Sequence, residues 1–441
     1  MDVEIASDDL AAFISLWKRR TRSWQGQRTR EEEKVKRVGR IGETQPQTMK
    51  LMTTAYPPLS LPSGITESYI PSHDLTYHVL SAGQPTKPLI LCLHGFPEVA
   101  YSWRKIMPAI ADEGYHVVAY DQRGYGRTTG WDTREFSSVD LNTFAFTRLV
   151  RDAVIFVNAL GYKEVACVIG HDFGAVGASM CALMRPDIFK SVITMSHPFK
   201  GSPSLPFNTI SNPPKQAEKE DVHRALAELP QPRKHYKWYY STKPAAQEMD
   251  YPKEGLHEFL RGYFHLKSAD WKGNSPKPLK AWEANELAKL PYYYVMPLDA
   301  GMRKSVQLSM ADEDPSAVSK SSSHWLPDHE LAVYVQEWGR NGFQGGLNWY
   351  RVATDPENMK DVELFAGKKI DVPALFISGK QDWGTYQEPG AVEKLDEVCS
   401  QSRGMKLVDG AGHWVQQEQP EKVIAIVAKF LRDLKIDAIS H

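Results

Sequence analysis

Apolar residues fall into two patterns along this chain. Short apolar runs at residues 88–93, 117–120, 165–169, 191–195 and 374–378 have the length of strands in a parallel sheet, and the unbroken, β-branched-rich run at 165–169 reads as one buried on both faces. Two runs ahead of them, 67–69 and 75–80, and one after them, 405–408, also read as strands. From residue 141 to 160 the spacing changes: apolar positions recur at Leu149, Val150, Ala153, Val154, Val157 and Leu160, which is a helical period, and Gly161 ends it. A further helix is expected from Ala175, and a last one from Pro420 that buries Val423, Ile426, Val427, Phe430 and Leu434. Strands alternating with helices predict an α/β fold with a mostly parallel, doubly wound sheet.

The alternation stops after Ser196-His197-Pro198-Phe199. Residues 201–214 are a linker dense in Pro, Ser and Asn, and from there to about Asn348 the pattern is helical with no comparable strands. Leu256, Phe259, Leu260, Tyr263 and Phe264 share one helical face, as do Leu331, Tyr334, Val335 and Trp338. The predicted organisation is an N-terminal extension at 1–55, a first core segment at 56–200, an inserted helical cap at 201–352 and a second core segment at 353–441. Aromatic enrichment in the insertion suits the apolar roof of a pocket.

Composition narrows the class. The chain has 441 residues, 42% hydrophobic and 24% charged, enough for one large domain with an insertion. A net charge of -1 gives no reason to expect nucleic acid or an anionic membrane as a partner. Cys92, Cys167, Cys181 and Cys399 lack metal-ligand spacing, and two of them lie in predicted core strands, which points to a reducing, cytoplasmic setting. The apolar runs are too short and too interrupted by charge for stable membrane insertion. In the extension, acidic Asp2, Glu4, Asp8 and Asp9 precede Lys18-Arg19-Arg20 and a basic stretch reaching Arg40. That reads as a solvated tail rather than a signal peptide or presequence.

The chemistry centres on Gly170-His171-Asp172-Phe173-Gly174, which lies between a predicted strand and a predicted helix. Glycines on both sides allow the tight strained turn of a nucleophile elbow, with Asp172 raised at the end of the sheet. An aspartate, with an ordinary pKa of about 3.9, is already ionised at neutral pH and needs no base before it attacks. Attack on an ester carbonyl gains little, because it gives a reactive anhydride. Attack on a strained or activated sp3 carbon gives an ordinary ester, whose breakdown then requires a water activated by histidine with a carboxylate behind it. Both follow at later strand ends: Asp382 in Gly379-Lys380-Gln381-Asp382-Trp383-Gly384, and His413 in Gly410-Ala411-Gly412-His413-Trp414. Nucleophile, acid, histidine is the chain order of the α/β-hydrolase fold. The turn His94-Gly95-Phe96-Pro97, where a cis proline would fit, offers the amide of Phe96, which with that of Phe173 would form an oxyanion hole. In the loop after residue 120, Asp121 and Arg123 are expected to pair as a structural salt bridge.

Through the stretches HGFP, GYGRT, GHDFG, GLNWYR, SGKQDWG and GAGHW, covering roughly residues 69–434, the sequence resembles the soluble epoxide hydrolases of the α/β-hydrolase fold, especially fungal-type members. The resemblance implies Asp172 as nucleophile, His413 as base, Asp382 as its orienting carboxylate, and two cap tyrosines that hold the epoxide oxygen. Tyr350 in GLNWYR matches one; Tyr236 in His235-Tyr236-Lys237-Trp238-Tyr239-Tyr240 resembles the other, with Tyr239 and Tyr240 as close rivals. A phenol keeps its proton at neutral pH and can pass it to the leaving alkoxide. His94, Pro97, His171, Trp349, Trp383 and Trp414, within or beside these motifs, are expected to line the substrate pocket. The implied partners are a small apolar epoxide and water, with no cofactor and no metal; a homodimer stays open. Two alternatives share the scaffold. Haloalkane dehalogenases use a Trp after the nucleophile as a halide donor, a place held here by Phe173, which has no such donor, and fluoroacetate dehalogenases carry Arg there. A non-catalytic binder of small apolar ligands is the other.

Overall fold

The computed structural model describes residues 56–204 and 221–439, so the expected tail at 1–55 and most of the expected linker lie outside the described residues. Eight strands form one sheet: β1 (Ile65–Ser72), β2 (Leu75–Ala82), β3 (Leu89–Leu93), β4 (His116–Tyr120), β5 (Cys167–His171), β6 (Val192–Met195), β9 (Ala374–Gly379) and β10 (Ser402–Val408). Their order is β1-β2-β4-β3-β5-β6-β9-β10. β1 pairs antiparallel with β2 and β2 with β4, and every neighbouring pair from β4 to β10 is parallel. The fold is the mostly parallel α/β sheet that the strand and helix alternation predicts.

Period-two alternation of the strands fills both faces. In β3, Ile90 and Cys92 join Trp103, Met107, Val423 and Val427 on one side, while Leu89, Leu91 and Leu93 join Leu149, Val150, Val157 and Leu183 on the other. The apolar stretch from residue 141 is not one helix: a 3-10 turn at Leu141–Phe144 precedes the helix Phe146–Ala159, because Ala145 is extended at ψ 149°. Val165 and Cys167 to Ile169 are in the core as expected, with Ala166 half-buried, but β5 begins at Cys167 and runs on to His171, and Val165 makes an isolated bridge with Phe189.

Between β6 and β9 the chain is largely helical, with the helices Leu256–Lys267, Asp328–Asn341 and Gln344–Thr354 burying Phe259, Leu260, Phe264, Leu331, Trp338 and Leu347. It is not free of strands. β7 (Arg233–His235) and β8 (Val295–Pro297) pair antiparallel, each too short to leave a periodic trace in the sequence. No helix among the described residues is long and apolar enough to cross a membrane.

The expected pairing of Asp121 with Arg123 is not what forms. Asp121 leaves β4 beside β2, and its carboxylate takes bonds from His78 Nδ1 (2.7 Å), Ala100 N (2.8 Å) and Arg127 N (2.8 Å). Arg123, two residues on, turns to the helix Phe146–Ala159 and binds Asp152 at 2.7 Å, with Asp74 at 3.0 Å. His78 also meets Glu67 through Nε2 at 2.9 Å. Burial lowers the affinity of His78 for its second proton, but Asp121 and Glu67 outweigh it and raise the pKa to about 9. A raised folded-state value means the stability is complete below the unfolded value of 6.5 and is lost as pH rises through about 9. The two values differ by the equivalent of roughly 3 kcal/mol. Thermal unfolding should therefore show a midpoint that drops between pH 6.5 and 9.5, and His78→Gln should flatten that drop; an equal drop in both proteins would refute the assignment.

Candidate active site

Asp172 sits between β5 and the helix Phe173–Met184 with φ 52°, a left-handed conformation that costs a non-glycine residue strain. The turn closes only because its surroundings lack side chains. A Cβ on Gly174 would collide with the carbonyl of Leu93, and one on Gly95 would collide with the side chain of Asp172. The backbone amide of Phe96 donates to Asp172 Oδ1 at 3.0 Å, and the Phe96-Pro97 peptide is cis. Phe173 opens the helix, with its ring edge-on to those of Trp349 and Tyr350.

His413 stands between two carboxylates. Its Nδ1 lies 3.1 Å from Asp382 Oδ1, and its Nε2 lies 3.3 Å from Asp172 Oδ2 without the alignment of a hydrogen bond. All three side chains are buried. Asp382 is fixed by Gly384 N (2.7 Å) and Ser378 Oγ (3.1 Å). Burial pushes both carboxyls up, but in Asp382 the charge and hydrogen bond of His413 win. In Asp172, His413, Lys267 and His171 together hold the carboxyl well below its usual range. Both are therefore ionised at neutral pH.

The main chain of His413 is equally constrained. Its carbonyl accepts from His171 Nε2 (2.7 Å) and Ser196 Oγ (2.7 Å). His171 in turn meets Glu98 through Nδ1 at 2.5 Å. Glu98 is fully buried and also takes bonds from Gly95 N, Gln416 Nε2 and Gln417 Nε2. Burial would neutralise this pair, but each partner holds the other charged. Glu98 was not foreseen in the sequence, although an acidic residue directly after HGFP was a visible signal.

Asp172 opens onto a cavity of about 450 Å³. Its wall includes Phe173, Tyr236 and Tyr350, with Phe146, Val176, Met180, Phe199, Trp238 and Trp282 giving it a mainly apolar character. Tyr236 Oη donates to Gln387 Oε1 at 3.3 Å, and the rings of Tyr236 and Tyr350 are 5.9 Å apart. The rival tyrosines point elsewhere: Tyr239 Oη bonds Glu248, and Tyr240 Oη faces Tyr263 Oη at 3.4 Å. Burial, and next the charge of Asp172, push the Tyr236 and Tyr350 phenols well above their ordinary value, so both carry their proton.

Six residues expected to line this cavity are not part of its wall: His94, Pro97, His171, Trp349, Trp383 and Trp414. They are scaffold instead. Trp349 Nε1 donates to Arg123 O (2.9 Å), Trp414 Nε1 to Phe264 O (2.8 Å), and Pro97 O accepts from Trp338 Nε1 (2.6 Å). His94 Nε2 accepts from Gln122 N at 3.1 Å, and Trp383 is buried beside Asp382. Among the described residues no group of His, Cys, Asp and Glu side chains could hold a metal ion.

Residues 88–226 match the family model for the alpha/beta hydrolase fold. Epoxide hydrolase A of Mycobacterium tuberculosis is 30% identical over 371 residues, spanning 84% of this chain and 98% of its own. Among solved structures, epoxide hydrolase A from Mycobacterium thermoresistibile has a TM-score of 0.63 at 31% identity, covering 83% of this chain and 98% of its own. An epoxide hydrolase from an endophytic Streptomyces has a TM-score of 0.65 at 25% identity, covering 85% and 97%.

Proposed function

The chain belongs to the epoxide hydrolases of the α/β-hydrolase fold, and we propose that it converts an apolar epoxide to a vicinal diol through an ester on Asp172. The observation that carries this reading is a buried, ionised carboxylate with one oxygen on the amide of Phe96, the other 3.3 Å from an imidazole, and an apolar cavity with two protonated phenols above it. The helical insertion between β6 and β9 is the cap of the site, since it supplies both phenols.

In the first step an Asp172 oxygen attacks an epoxide carbon, the carbon to oxygen bond breaks, and a proton from Tyr236 or Tyr350 neutralises the alkoxide. The negative charge moves from Asp172 to the epoxide oxygen, so the phenols, which keep their proton beside the carboxylate, meet a strong base to donate to as the alkoxide develops. In the second step His413, oriented by Asp382, takes a proton from water and the hydroxide attacks the carbonyl carbon of the ester. The amides of Phe96 and Phe173 receive the resulting oxyanion. Collapse releases the diol, and the imidazolium returns its proton to the tyrosinate. Tyr236 serves better than Tyr239 or Tyr240, because only Tyr236 of the three faces the cavity.

A single turnover in heavy-oxygen water tests the reading. The new hydroxyl of the first diol should carry no label, since its oxygen comes from Asp172, and label should enter that position in later cycles. Label in the first diol would mean direct attack by water and would defeat the covalent route.

A further inference from the structure

Glu418 ends the short helix Val415–Glu418 and is buried. Its carboxylate takes three main-chain bonds: Oε1 from Trp414 N (2.9 Å), and Oε2 from Gly412 N (2.9 Å) and Ala269 N (2.8 Å). Gly412 and Trp414 are the two chain neighbours of His413. Ala269 belongs to the insertion, just beyond the helix Leu256–Lys267. Two more bonds close the same seam, from His413 N to Lys267 O (2.8 Å) and from Trp414 Nε1 to Phe264 O (2.8 Å). Gly412 packs so tightly on residues 267–269 that a Cβ there would overlap their backbone.

Burial, with the nearby charge of Asp270, pushes the Glu418 pKa up to about 8 against the pull of the three amides. A carboxyl group does here what an amide of the same length cannot: ionised or protonated on Oε1, both of its oxygens still accept, so all three converging donors are met. Those donors bracket the residue whose imbalance in position would matter most.

We propose that Glu418 is a positioning residue for ester hydrolysis, fixing the backbone on both sides of His413 against the insertion so that the imidazole keeps its aim when Asp172 becomes an ester. This inference rests on the two-step reading above. It separates the two steps, because attack uses Asp172, which the elbow and Phe96 hold independently, whereas hydrolysis uses His413.

In Glu418→Gln one oxygen becomes an NH2 group, which sets donor against donor and leaves a buried amide beside His413 unpaired. Rapid-quench single turnovers with styrene oxide, following the ester by the mass of the peptide that contains Asp172, should show ester hydrolysis slowed about 10-fold or more while ester formation changes no more than about 2-fold. Glu418→Asp, which retains the carboxyl group but is shorter, should fall between the parent and the Gln variant. It also serves as the test if the Gln protein does not fold. Equal slowing of both steps, or of neither, in whichever variant folds would overturn the inference. Absence of any ester in the parent would instead overturn the two-step reading.

Discussion

Asp172→Asn is expected to fold normally and to hydrolyse no epoxide, with kcat/KM at least about 10⁴-fold below the parent. The amide is the same size as the carboxylate and still offers an oxygen to the amide of Phe96, which donates at 3.0 Å. Asparagine also tolerates the left-handed backbone at φ 52° better than most residues, so the elbow should close. What disappears is the anion. A carboxamide oxygen is a poor nucleophile, and Glu388, a second carboxylate on the cavity wall, is held by Lys237 at 2.6 Å. Diol formation from styrene oxide, measured beside circular dichroism and a melting curve, decides the matter. A well-folded variant within 100-fold of the parent would show that Asp172 is not the attacking group. Halide release from haloalkanes should be near background in the parent as well, since Phe173 gives a departing halide no hydrogen-bond donor.

The parts of this site that could be read from the sequence are those where a side chain's role follows from its place at a strand end. Asp172 and Asp382 each follow a buried strand of the parallel sheet and His413 follows its half-exposed edge strand β10, and parallel strands deliver the residues beyond them to one edge. Tyr236 and Tyr350 have no such address. They lie on helices of the insertion, and only the resemblance singled them out among 19 tyrosines. Proximity in sequence misled at Asp121 and Arg123, because a turn of two residues at the end of β4 sent one carboxylate to His78 on β2 and the guanidinium to Asp152 on a helix. The tryptophans of the motifs misled in another way. In Trp349 and Trp414 the buried indole N–H donates to a distant backbone carbonyl, which ties the ring into the scaffold, whereas the Nε1 of Trp383 is buried with no hydrogen-bond partner among the described residues. Glu418 was illegible for a related reason: its partners are main-chain amides, and no pattern of side chains encodes them.

His413→Gln should fail at the other half of the cycle, accumulating the ester while turnover falls by roughly 10³-fold or more. The imidazole is not needed to aim the nucleophile, for Nε2 lies 3.3 Å from Asp172 Oδ2 without hydrogen-bond alignment, and Phe96 fixes the other oxygen. It is needed to take the proton from water. Intact-protein mass spectrometry after mixing with one equivalent of styrene oxide should therefore show the variant heavier by one substrate and stable in that form, with the added mass on the peptide containing Asp172. The pH dependence of this labelling carries a second, signed expectation. Burial raises the Asp172 carboxyl, and His413 is the leading charge that brings it down. Once His413 is gone that counterweight is lost, so the Asp172 carboxyl of the variant titrates higher than in the parent. As the solution is acidified from pH 8, labelling of the variant should then fall off at a higher pH than ester formation in the parent. A variant that loses turnover yet stays unmodified at every pH would place His413 before the ester rather than after it, and the order of the two steps would have to be abandoned.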